Sequence, residues 1–378
     1  MNKARKILVN VCRVIFAMTL IFSGYVKAID PLGTQYKIQD YLSAAGIGNI
    51  LPDWIVLAFS IGLAALEFSL GVFVLLAIRR RQSSKVACCL MTVMTLITIW
   101  IAIADPVKDC GCFGDAIVLS NTQTLVKNII LLGCAWMLVL YPTECMRILP
   151  KKAQWIIINI TVIFILLSSI WSLYYLPPID FRPYHIGANI KKGMEIPEGA
   201  EMPQFETTFI MEKDGQRKEF SLENYPDSTW TFIDSKTIQT KEGYTPPIHD
   251  FSIEDRKTGV NITSQVLNDK GFTFLLISPH LEKADDSNFG EIDQIYEFAQ
   301  EQGCKMYCLT ASGDQAIQRW IDMTGAEYPF CNTDEITLKT IIRSNPGLVL
   351  IKDATIIGKW SHNDLPNQDE IKKIIKEN

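Results

Sequence analysis

Residues 7–26, "ILVNVCRVIFAMTLIFSGYV", form an apolar run that decides the architecture of the first half of this chain. An α-helix needs about 17–25 apolar residues to cross the hydrocarbon core of a bilayer, and this run has that length. A basic segment precedes the run, as in a signal peptide, but Arg13 interrupts it and no small-x-small cleavage site follows. We therefore expect a transmembrane helix that is retained, with a cleaved signal peptide as the alternative.

Four further apolar runs are long enough to cross a bilayer, so the sequence predicts five crossings. Beyond Pro177 and Pro178 the composition becomes mixed and rich in Lys, Glu and Asp. The mean hydropathy of +0.14 over 378 residues is high for a soluble protein. We therefore predict a multidomain protein in which a membrane half is joined to a soluble half. The further runs are Trp54–Ile78, Val86–Ala104, Leu125–Tyr141 and Trp155–Leu176.

The basic residues between these runs predict how the chain is oriented in the membrane. The amino terminus and the loops "RRRQSSK" (79–85) and "MRILPKK" (146–152) are rich in Arg and Lys, whereas "DPVKDCGCFGD" (105–115) is mixed or acidic. Arg and Lys are concentrated in the cytoplasmic loops of membrane proteins. Five crossings with this alternation place the amino terminus in the cytoplasm. They place the soluble half outside the inner membrane, in the periplasm of a diderm bacterium.

Cys110 and Cys112 lie in a loop that this orientation places on the oxidising side of the membrane. Gly111 between them removes the steric obstacle to closing a very small ring, and a strained, exposed disulfide is labile and oxidising. Redox exchange is therefore the favoured interpretation of the pair. A structural turn is the second interpretation. A metal site is the third, because no histidine or second cysteine pair lies nearby.

Three charged residues, Arg13, Lys27 and Glu67, lie within or at the edge of apolar runs, where ionised groups are rare and are usually paired. The helical rise of about 1.5 Å per residue puts Arg13 and Glu67 at heights that an extended ion pair can span. We therefore expect Arg13 to pair with Glu67, and Lys27 to extend towards the outer interface. A structural ion pair is the favoured role, and a proton or quinone pathway is the alternative.

The first half of the chain resembles the DoxX-like and MauE-like membrane proteins over roughly residues 5–145. The resemblance lies in "RVIFAMTLIFSGYVKAIDPLG" (13–33), "LEFSLGVFVL" (66–75) and "DCGCFGD" (109–115), of which Cys-Gly-Cys-Phe-Gly is the most specific part. It implies an α-helical bundle of four helices in residues 1–145, and the apolar run after it predicts a fifth transmembrane helix in residues 146–178.

The same resemblance implies a function. MauE-like proteins are inner-membrane helix bundles associated with periplasmic disulfide formation or with the maturation of partner proteins, which would make Cys110 and Cys112 a redox pair. DoxX-like proteins are linked to sulfur and quinone chemistry, so a quinone is the cofactor that this resemblance suggests. The sequence itself contains no Gly-rich phosphate loop and no haem-attachment motif.

Residues 246–378 alternate buried apolar segments with amphipathic ones, which predicts an α/β domain with a partly parallel sheet. "GFTFLLIS" (271–278) and "KMYCLTAS" (305–312) are predicted strands, and "GLVLIKDATIIGKW" (347–360) is a predicted hairpin. The order of these elements resembles the TlpA-like and peroxiredoxin-like branch of the thioredoxin fold. In that resemblance Pro346 is the cis proline that faces the active site.

The soluble domain departs from that family at the position of its catalytic cysteines. Active members carry Cys-x-x-Cys after the first core strand, at the start of a helix that lowers the pKa of a thiol. Here that position is "SPHLEKAD" (278–285), with Ser278 and Leu281 in place of the thiols. We therefore predict a thioredoxin-like fold without the usual exchange chemistry, and we interpret His280 as a surface residue.

Residues 179–245 separate the two halves, and we interpret them as a linker and a small β-rich segment. Asp214 and Gly215 are predicted to form the turn of a hairpin there. In the soluble half, Cys308 and Cys331 are candidates for a structural disulfide between neighbouring strands.

These features support two functional hypotheses of different classes. In the first, Cys110 and Cys112 take part in periplasmic thiol–disulfide or quinone-linked redox chemistry, and the thioredoxin-like domain binds an unknown periplasmic partner. In the second, the protein is a non-enzymatic assembly factor or scaffold. Transport through the bundle is a weaker third hypothesis, supported by Arg13 and Glu67 alone. The lipid bilayer is an expected partner, whereas nucleic acid is not, because the soluble half is acid-rich and lacks a basic stripe.

Overall fold

The computed structural model describes residues 3–48, 50–105, 107, 110–201, 204–213, 216–221, 229–241 and 243–377. Within these residues, five helices are long and apolar enough to cross a membrane, which confirms the predicted number. Their outward faces expose large apolar side chains such as Leu96 and Ile163, as lipid contact requires. The chain is therefore a multi-pass membrane protein. The five spanning helices are α1 (Lys3–Ile29), α3 (Asp53–Leu75), α4 (Arg80–Ala104), α5 (Asn121–Leu140) and α6 (Gln154–Tyr174). A shorter helix, α2 (Pro31–Ala44), lies between α1 and α3.

Helix α2 lies between the first two apolar runs, where no helix was predicted. Asp30 caps it by accepting a hydrogen bond from the Gly33 amide, and Pro31 occupies its first turn. The Ser60 hydroxyl on α3 donates to the Pro31 carbonyl at 2.8 Å, which holds the start of α2 against α3. The apolar residues of α2 follow no helical stripe, so hydropathy gave no signal for it, and the cap and the proline were the signals available.

Two glycines bring the backbones of α1 and α3 close together. A Cβ on Gly24 would lie 2.4 Å from the backbone nitrogen of Phe68, and a Cβ on Gly71 would lie 2.8 Å from that of Ile21. Small residues allow such close approach between membrane helices, where packing rather than the hydrophobic effect drives association. This contact fixes which side chains of α1 face α3.

The segment between the two halves contains a short helix and a separate small sheet. Asn189 forms a β-bridge with Thr355, and Ile190 is buried in the same apolar cluster as residues of the α/β domain. In the small sheet, Lys213 pairs with Gln216 in an antiparallel register, while the predicted turn residues Asp214 and Gly215 lie outside the described residues. The elements are α7 (Ile190–Met194), β1 (Gln204–Lys213), β2 (Gln216–Ser221) and β3 (Thr231–Lys241), with sheet order β2-β1-β3.

The second half forms a six-stranded sheet of order β4-β7-β6-β5-β8-β9. The central strands β5, β6 and β7 are parallel, and β8 and β9 add to β5 as an antiparallel hairpin. This is a thioredoxin-like α/β domain, which confirms the predicted fold class. The strands are β4 (Glu254–Asp255), β5 (Phe272–Ser278), β6 (Lys305–Thr310), β7 (Phe330–Asn332), β8 (Gly347–Lys352) and β9 (Thr355–Ser361).

Helices cover both faces of this sheet, and each face has its own apolar core. Helices α7, α8 and α11 pack on one face, and α9, α10 and α12 pack on the other around the buried Trp320. Because both faces are covered, the central strands are apolar throughout, as the sequence of β5 shows. The remaining helices are α8 (Thr263–Leu267), α9 (Phe289–Glu301), α10 (Asp314–Thr324), α11 (Glu335–Ile341) and α12 (Gln368–Glu377).

The suggested disulfide between Cys308 and Cys331 is wrong. The two residues do lie on the neighbouring strands β6 and β7, but Cys331 pairs with Leu309 and Cys308 pairs with Phe330. Successive residues of a strand point to opposite faces, so a register offset of one residue separates the two thiols. Cys308 accordingly belongs to one apolar core and Cys331 to the other.

Candidate functional site

The Cys-Gly-Cys loop connects α4 to α5 at one end of the bundle, which we call the loop end. Cys110 Sγ and Cys112 Sγ lie 2.7 Å apart, and both residues are thiols in the structure. Gly111 has a φ of +60°, and a Cβ there would lie 3.0 Å from Cγ of Lys37 on α2. Glycine adopts such a φ without steric cost. The glycine therefore lets the loop fold back on itself, which brings the two sulfur atoms together.

Side chains from three helices hold this loop in place. The Tyr41 hydroxyl on α2 donates to the Cys110 carbonyl at 2.6 Å, and the Ser23 hydroxyl on α1 lies 2.8 Å from the Cys112 carbonyl oxygen. Phe113, which follows the cysteines, packs against Phe22 with ring centroids 5.4 Å apart. Lys127 Nζ on α5 lies 4.2 Å from the centre of the Phe113 ring. The loop is thus anchored on the bundle through both carbonyls and through its aromatic residue.

A buried ion pair lies directly beneath the loop. Lys27 Nζ is 2.7 Å from both carboxylate oxygens of Glu67, and the two residues are 6% and 3% exposed. Ser23, one helical turn from Lys27, lies 2.7 Å from Glu67 Oε2. The loop carbonyl of Cys112 and the ion pair therefore share one hydroxyl group. This contiguity links the intramembrane charges to the cysteines.

The expected partners of the intramembrane charges were wrong. Arg13 does not pair with Glu67, because its Nη1 donates to the Met146 carbonyl at 2.7 Å, at the opposite end of the bundle. Lys27 does not extend to the interface, since it is buried against Glu67. Helical rise gives the height of a residue but not the face on which it lies. The glycine contact between α1 and α3 decided the face and hence the partner.

A cavity of about 40 Å³ lies between Cys112 and the ion pair. The polar groups that line it include Lys27, Glu67, Lys127 and Asn128. A cavity of this size has room for one or a few water molecules. Neither Lys127 nor Asn128 was predicted from the sequence to be a site residue. Their position at the start of α5, next to the loop in the chain, was the signal for them.

The two thiols differ in their acidity. The hydrogen bond between the two thiols lowers the pKa of Cys112, burial opposes this, and the positive charges of Lys127 and Lys27 lower it further. The same hydrogen bond, together with burial, raises the pKa of Cys110. Cys110 is buried and Cys112 is half-buried. At neutral pH the pair therefore favours a thiolate on Cys112 and a thiol on Cys110.

The exchange position of the thioredoxin-like domain, where active members carry Cys-x-x-Cys, contains Ser278 and Leu281 and no thiol. Hydrogen bonds within the domain join this position to the loop before Pro346. The Asn345–Pro346 peptide bond is cis. Ser278 donates to the Asn345 side chain at 2.7 Å, and the Asn345 amide donates to the His280 carbonyl at 2.8 Å. The backbone N–H of Asp285 donates to the Asn345 carbonyl at 3.0 Å, so this carbonyl is already bonded within the domain. This arrangement cannot carry out thiol–disulfide exchange.

The thioredoxin-like domain docks on the loop end of the bundle. Arg343, just after α11, binds Asp30 through Nε at 2.9 Å and through Nη2 at 2.9 Å. Burial would raise the pKa of the Asp30 carboxyl, but the Arg343 guanidinium holds it below its usual range. A cavity of about 260 Å³ lies between the domain and the bundle, lined in part by Gly111, Gly114 and Arg343. The cysteine loop therefore forms part of the wall of an interdomain cavity.

Metal binding has no support in the residues that the structure describes. Among them, no three side chains of His, Cys, Asp and Glu are grouped closely enough to hold an ion. His280 instead lies 3.0 Å from Glu335, and its side chain is 28% exposed.

The fold and the site together define a polytopic membrane protein that carries a Cys-Gly-Cys loop on a helix bundle, with a thioredoxin-like domain docked at the loop. Residues 5–141 match the family model described as methylamine utilisation protein MauE, so the amino-terminal domain is MauE-like. The predicted MauE-like resemblance is confirmed, and the resemblance to DoxX-like proteins stays a prediction. Residues 205–242 match a model described as a domain of unknown function (DUF8463). A search of curated proteins found no match.

Two solved structures from Bacteroides thetaiotaomicron are similar to the second half. One is described as a "putative protein disulfide isomerase", with 15% identity and a TM-score of 0.26; it covers 34% of this chain and 82% of its own. The other is the C-terminal domain of a "putative thiol-disulfide oxidoreductase", with 16% identity, a TM-score of 0.28, and coverage of 34% and 93%. TM-scores this low do not establish a fold. The thioredoxin-like fold follows instead from the strand order β4-β7-β6-β5-β8-β9.

Proposed function

We propose that this protein exchanges disulfides with a partner protein through Cys110 and Cys112. The observation that carries the proposal is the 2.7 Å distance between the two sulfur atoms in a loop anchored on the bundle. In the exchange, a partner disulfide and the Cys110–Cys112 dithiol are converted into a partner dithiol and a Cys110–Cys112 disulfide, or the reverse. Two electrons and two protons move between the proteins in either direction, so the exchange needs no other oxidant or reductant.

The exchange takes place on the periplasmic side of the inner membrane in this proposal. The support is the charge of the loops, because Arg and Lys cluster at the end of the bundle opposite the cysteines. The amino terminus is then cytoplasmic, and the thioredoxin-like domain is periplasmic. The periplasm is an oxidising compartment in which disulfides persist.

The thioredoxin-like domain acts as a non-catalytic binding module in this proposal. Its exchange position carries Ser278 and Leu281, and its cis-proline loop is bonded to its own chain. It nevertheless docks beside the cysteine loop through Arg343 and Asp30. A partner bound to the domain would therefore be held close to Cys110 and Cys112.

A quinone is the alternative electron acceptor, and the residues beside the cysteines do not fit one. Ligand pockets for small molecules have volumes of roughly 300–1,000 Å³. The cavity next to Cys112 has a volume of about 40 Å³, and the interdomain cavity that the cysteine loop borders, at about 260 Å³, also lies below this range. We therefore derive no step through a quinone and assign the exchange to a protein thiol or disulfide.

Trapping of mixed disulfides tests the proposal. The full-length protein carrying Cys110→Ser or Cys112→Ser is expressed in membranes, acid-quenched and alkylated. We expect at least one of the two variants to accumulate a covalent adduct with a partner that reducing agent releases. Cys89→Ser, which removes an exposed thiol of α4, is the matched control and should leave the adducts unchanged.

The scaffold hypothesis is the rival that this experiment addresses. It is favoured by the absence of thiols at the exchange position of the thioredoxin-like domain. If neither variant forms an adduct, and the redox state of the wild-type pair stays constant under added oxidant and reductant, the exchange function is lost and the scaffold remains.

A further inference from the structure

Lys127 is a cation on α5 that lies beside the cysteine loop. No carboxylate lies within ion-pair distance of it among the residues that the structure describes. Its Nζ lies over the Phe113 ring, and it lines the same small cavity as Cys112. Lys27 lines this cavity too, but Glu67 neutralises its charge at 2.7 Å. Among the residues that the structure describes around this cavity, Lys127 is therefore the cation whose charge no carboxylate compensates.

The two cysteines face different surroundings. Cys112 lines the cavity with Lys127 and is half-buried, whereas Cys110 is buried and its carbonyl is held by Tyr41. A positive charge close to a thiol favours the thiolate, and the effect is strong where burial lowers the effective dielectric constant. The thiolate is the nucleophile in disulfide exchange. The geometry thus separates the roles of the two sulfur atoms.

We propose that Cys112 is the thiol that forms the mixed disulfide with the partner, and that Lys127 is the positioning residue that stabilises its thiolate. This inference rests on the proposed exchange function. The Cys112 thiolate attacks a sulfur atom of the partner disulfide, a bond forms between the two proteins, and the other partner sulfur leaves with the electron pair and takes up a proton. Cys110 then loses its proton and attacks Cys112 Sγ. This closes the Cys110–Cys112 disulfide and releases the second partner thiolate.

The charge of Lys127 is tested by the alkylation of Cys112 in the full-length Cys110→Ser background. The rate of modification of Cys112 by iodoacetamide is followed against pH by mass spectrometry, with Lys127, Lys127→Met or Lys127→Arg. We expect Lys127→Met to move the midpoint of the alkylation profile to higher pH by about one unit, which slows alkylation by about tenfold at a pH well below the midpoint. Lys127→Arg should retain the wild-type profile, because it keeps the charge.

Two controls separate this effect from misfolding and from general loss of charge. Lys152→Met removes an exposed lysine at the opposite end of the bundle and should leave the profile unchanged. The thermal unfolding midpoint of the detergent-solubilised variants reports folding. An unchanged alkylation profile in a folded Lys127→Met protein would overturn the role of Lys127.

The trapping of mixed disulfides tests the assignment of Cys112 as the attacking thiol separately from the exchange function. Adducts in Cys110→Ser and not in Cys112→Ser support Cys112 as the attacking thiol. Adducts in Cys112→Ser alone would overturn this assignment while leaving the exchange function intact. If no adduct forms in either variant, the exchange function and the attacking role both fail, and the alkylation profiles still decide whether Lys127 stabilises the thiolate.

Discussion

The Lys27–Glu67 pair, at the scale of single residues, is a buried charge pair that also touches the cysteine loop through Ser23. Removing one member of such a pair leaves an uncompensated buried charge. We expect Lys27→Met and Glu67→Gln each to destabilise the protein by about 3–5 kcal/mol, because each variant leaves one buried charge unpaired. The double variant should be more stable than the worse single variant. Thermal unfolding in detergent measures all three.

Disulfide exchange in the same variants distinguishes a structural role for the pair from a chemical one. If the folded fraction of Glu67→Gln exchanges disulfides at the wild-type rate, the pair only holds the loop. A slower rate per folded molecule would mean that Glu67 takes part in proton movement. The sequence revealed that these charges are intramembrane, but it did not reveal that Lys27, and not Arg13, is the partner of Glu67.

The contact between α1 and α3, at the scale of elements, depends on glycine. We expect Gly24→Ala to destabilise the bundle by about 1–3 kcal/mol, because its Cβ would lie 2.4 Å from the Phe68 backbone nitrogen. Gly62→Ala on α3 is the matched control, since its Cβ would meet no atom within 4 Å. That change should be neutral or stabilising, because alanine favours a helix over glycine by about 1 kcal/mol. Equal unfolding midpoints for the two variants would contradict the close contact.

The sequence predicted which segments form helices and strands more completely than it predicted which side chains of those elements face each other. Long apolar runs and alternating patterns are local, so the five crossings and the strands β5, β6 and β8 were found within a few residues of their bounds. Helix α2 was missed because its apolar residues follow no stripe. The separation of Cys308 from Cys331 depends on the register between β6 and β7, which no local pattern encodes.

The docking of the thioredoxin-like domain, at the scale of the whole molecule, rests in part on the Arg343–Asp30 ion pair. Because the folded pKa of Asp30 lies below its unfolded value, the pair stabilises docking above that value and loses this contribution as the pH falls through the folded pKa. We therefore expect docking to persist at neutral pH and to weaken only below about pH 4. The amide hydrogen exchange of residues 335–345, followed against pH, measures the loss of docking.

Two variants make this prediction specific. Asp30→Asn should increase exchange in this segment at neutral pH and should remove the acid-dependent step. Lys283→Met is the matched control, because it breaks the exposed interdomain pair Lys283–Asp53. Exposed pairs contribute about 0–1 kcal/mol, so this variant should change exchange little. An acid step that survives in Asp30→Asn would assign the step to another group.

The sequence by itself determined the membrane half, the α/β half, the Cys-Gly-Cys loop and the missing thiols at Ser278 and Leu281. These features follow from composition and from the spacing of residues along the chain. The period of a helix or a strand determines which residues share a face, and the length of an apolar run determines whether it can span a membrane. Tertiary structure alone decided that Lys27 meets Glu67, that Lys127 lines the same cavity as Cys112 and that Arg343 reaches Asp30. Those contacts join residues from 15 to 313 positions apart, and they depend on how whole elements rotate and pack against each other.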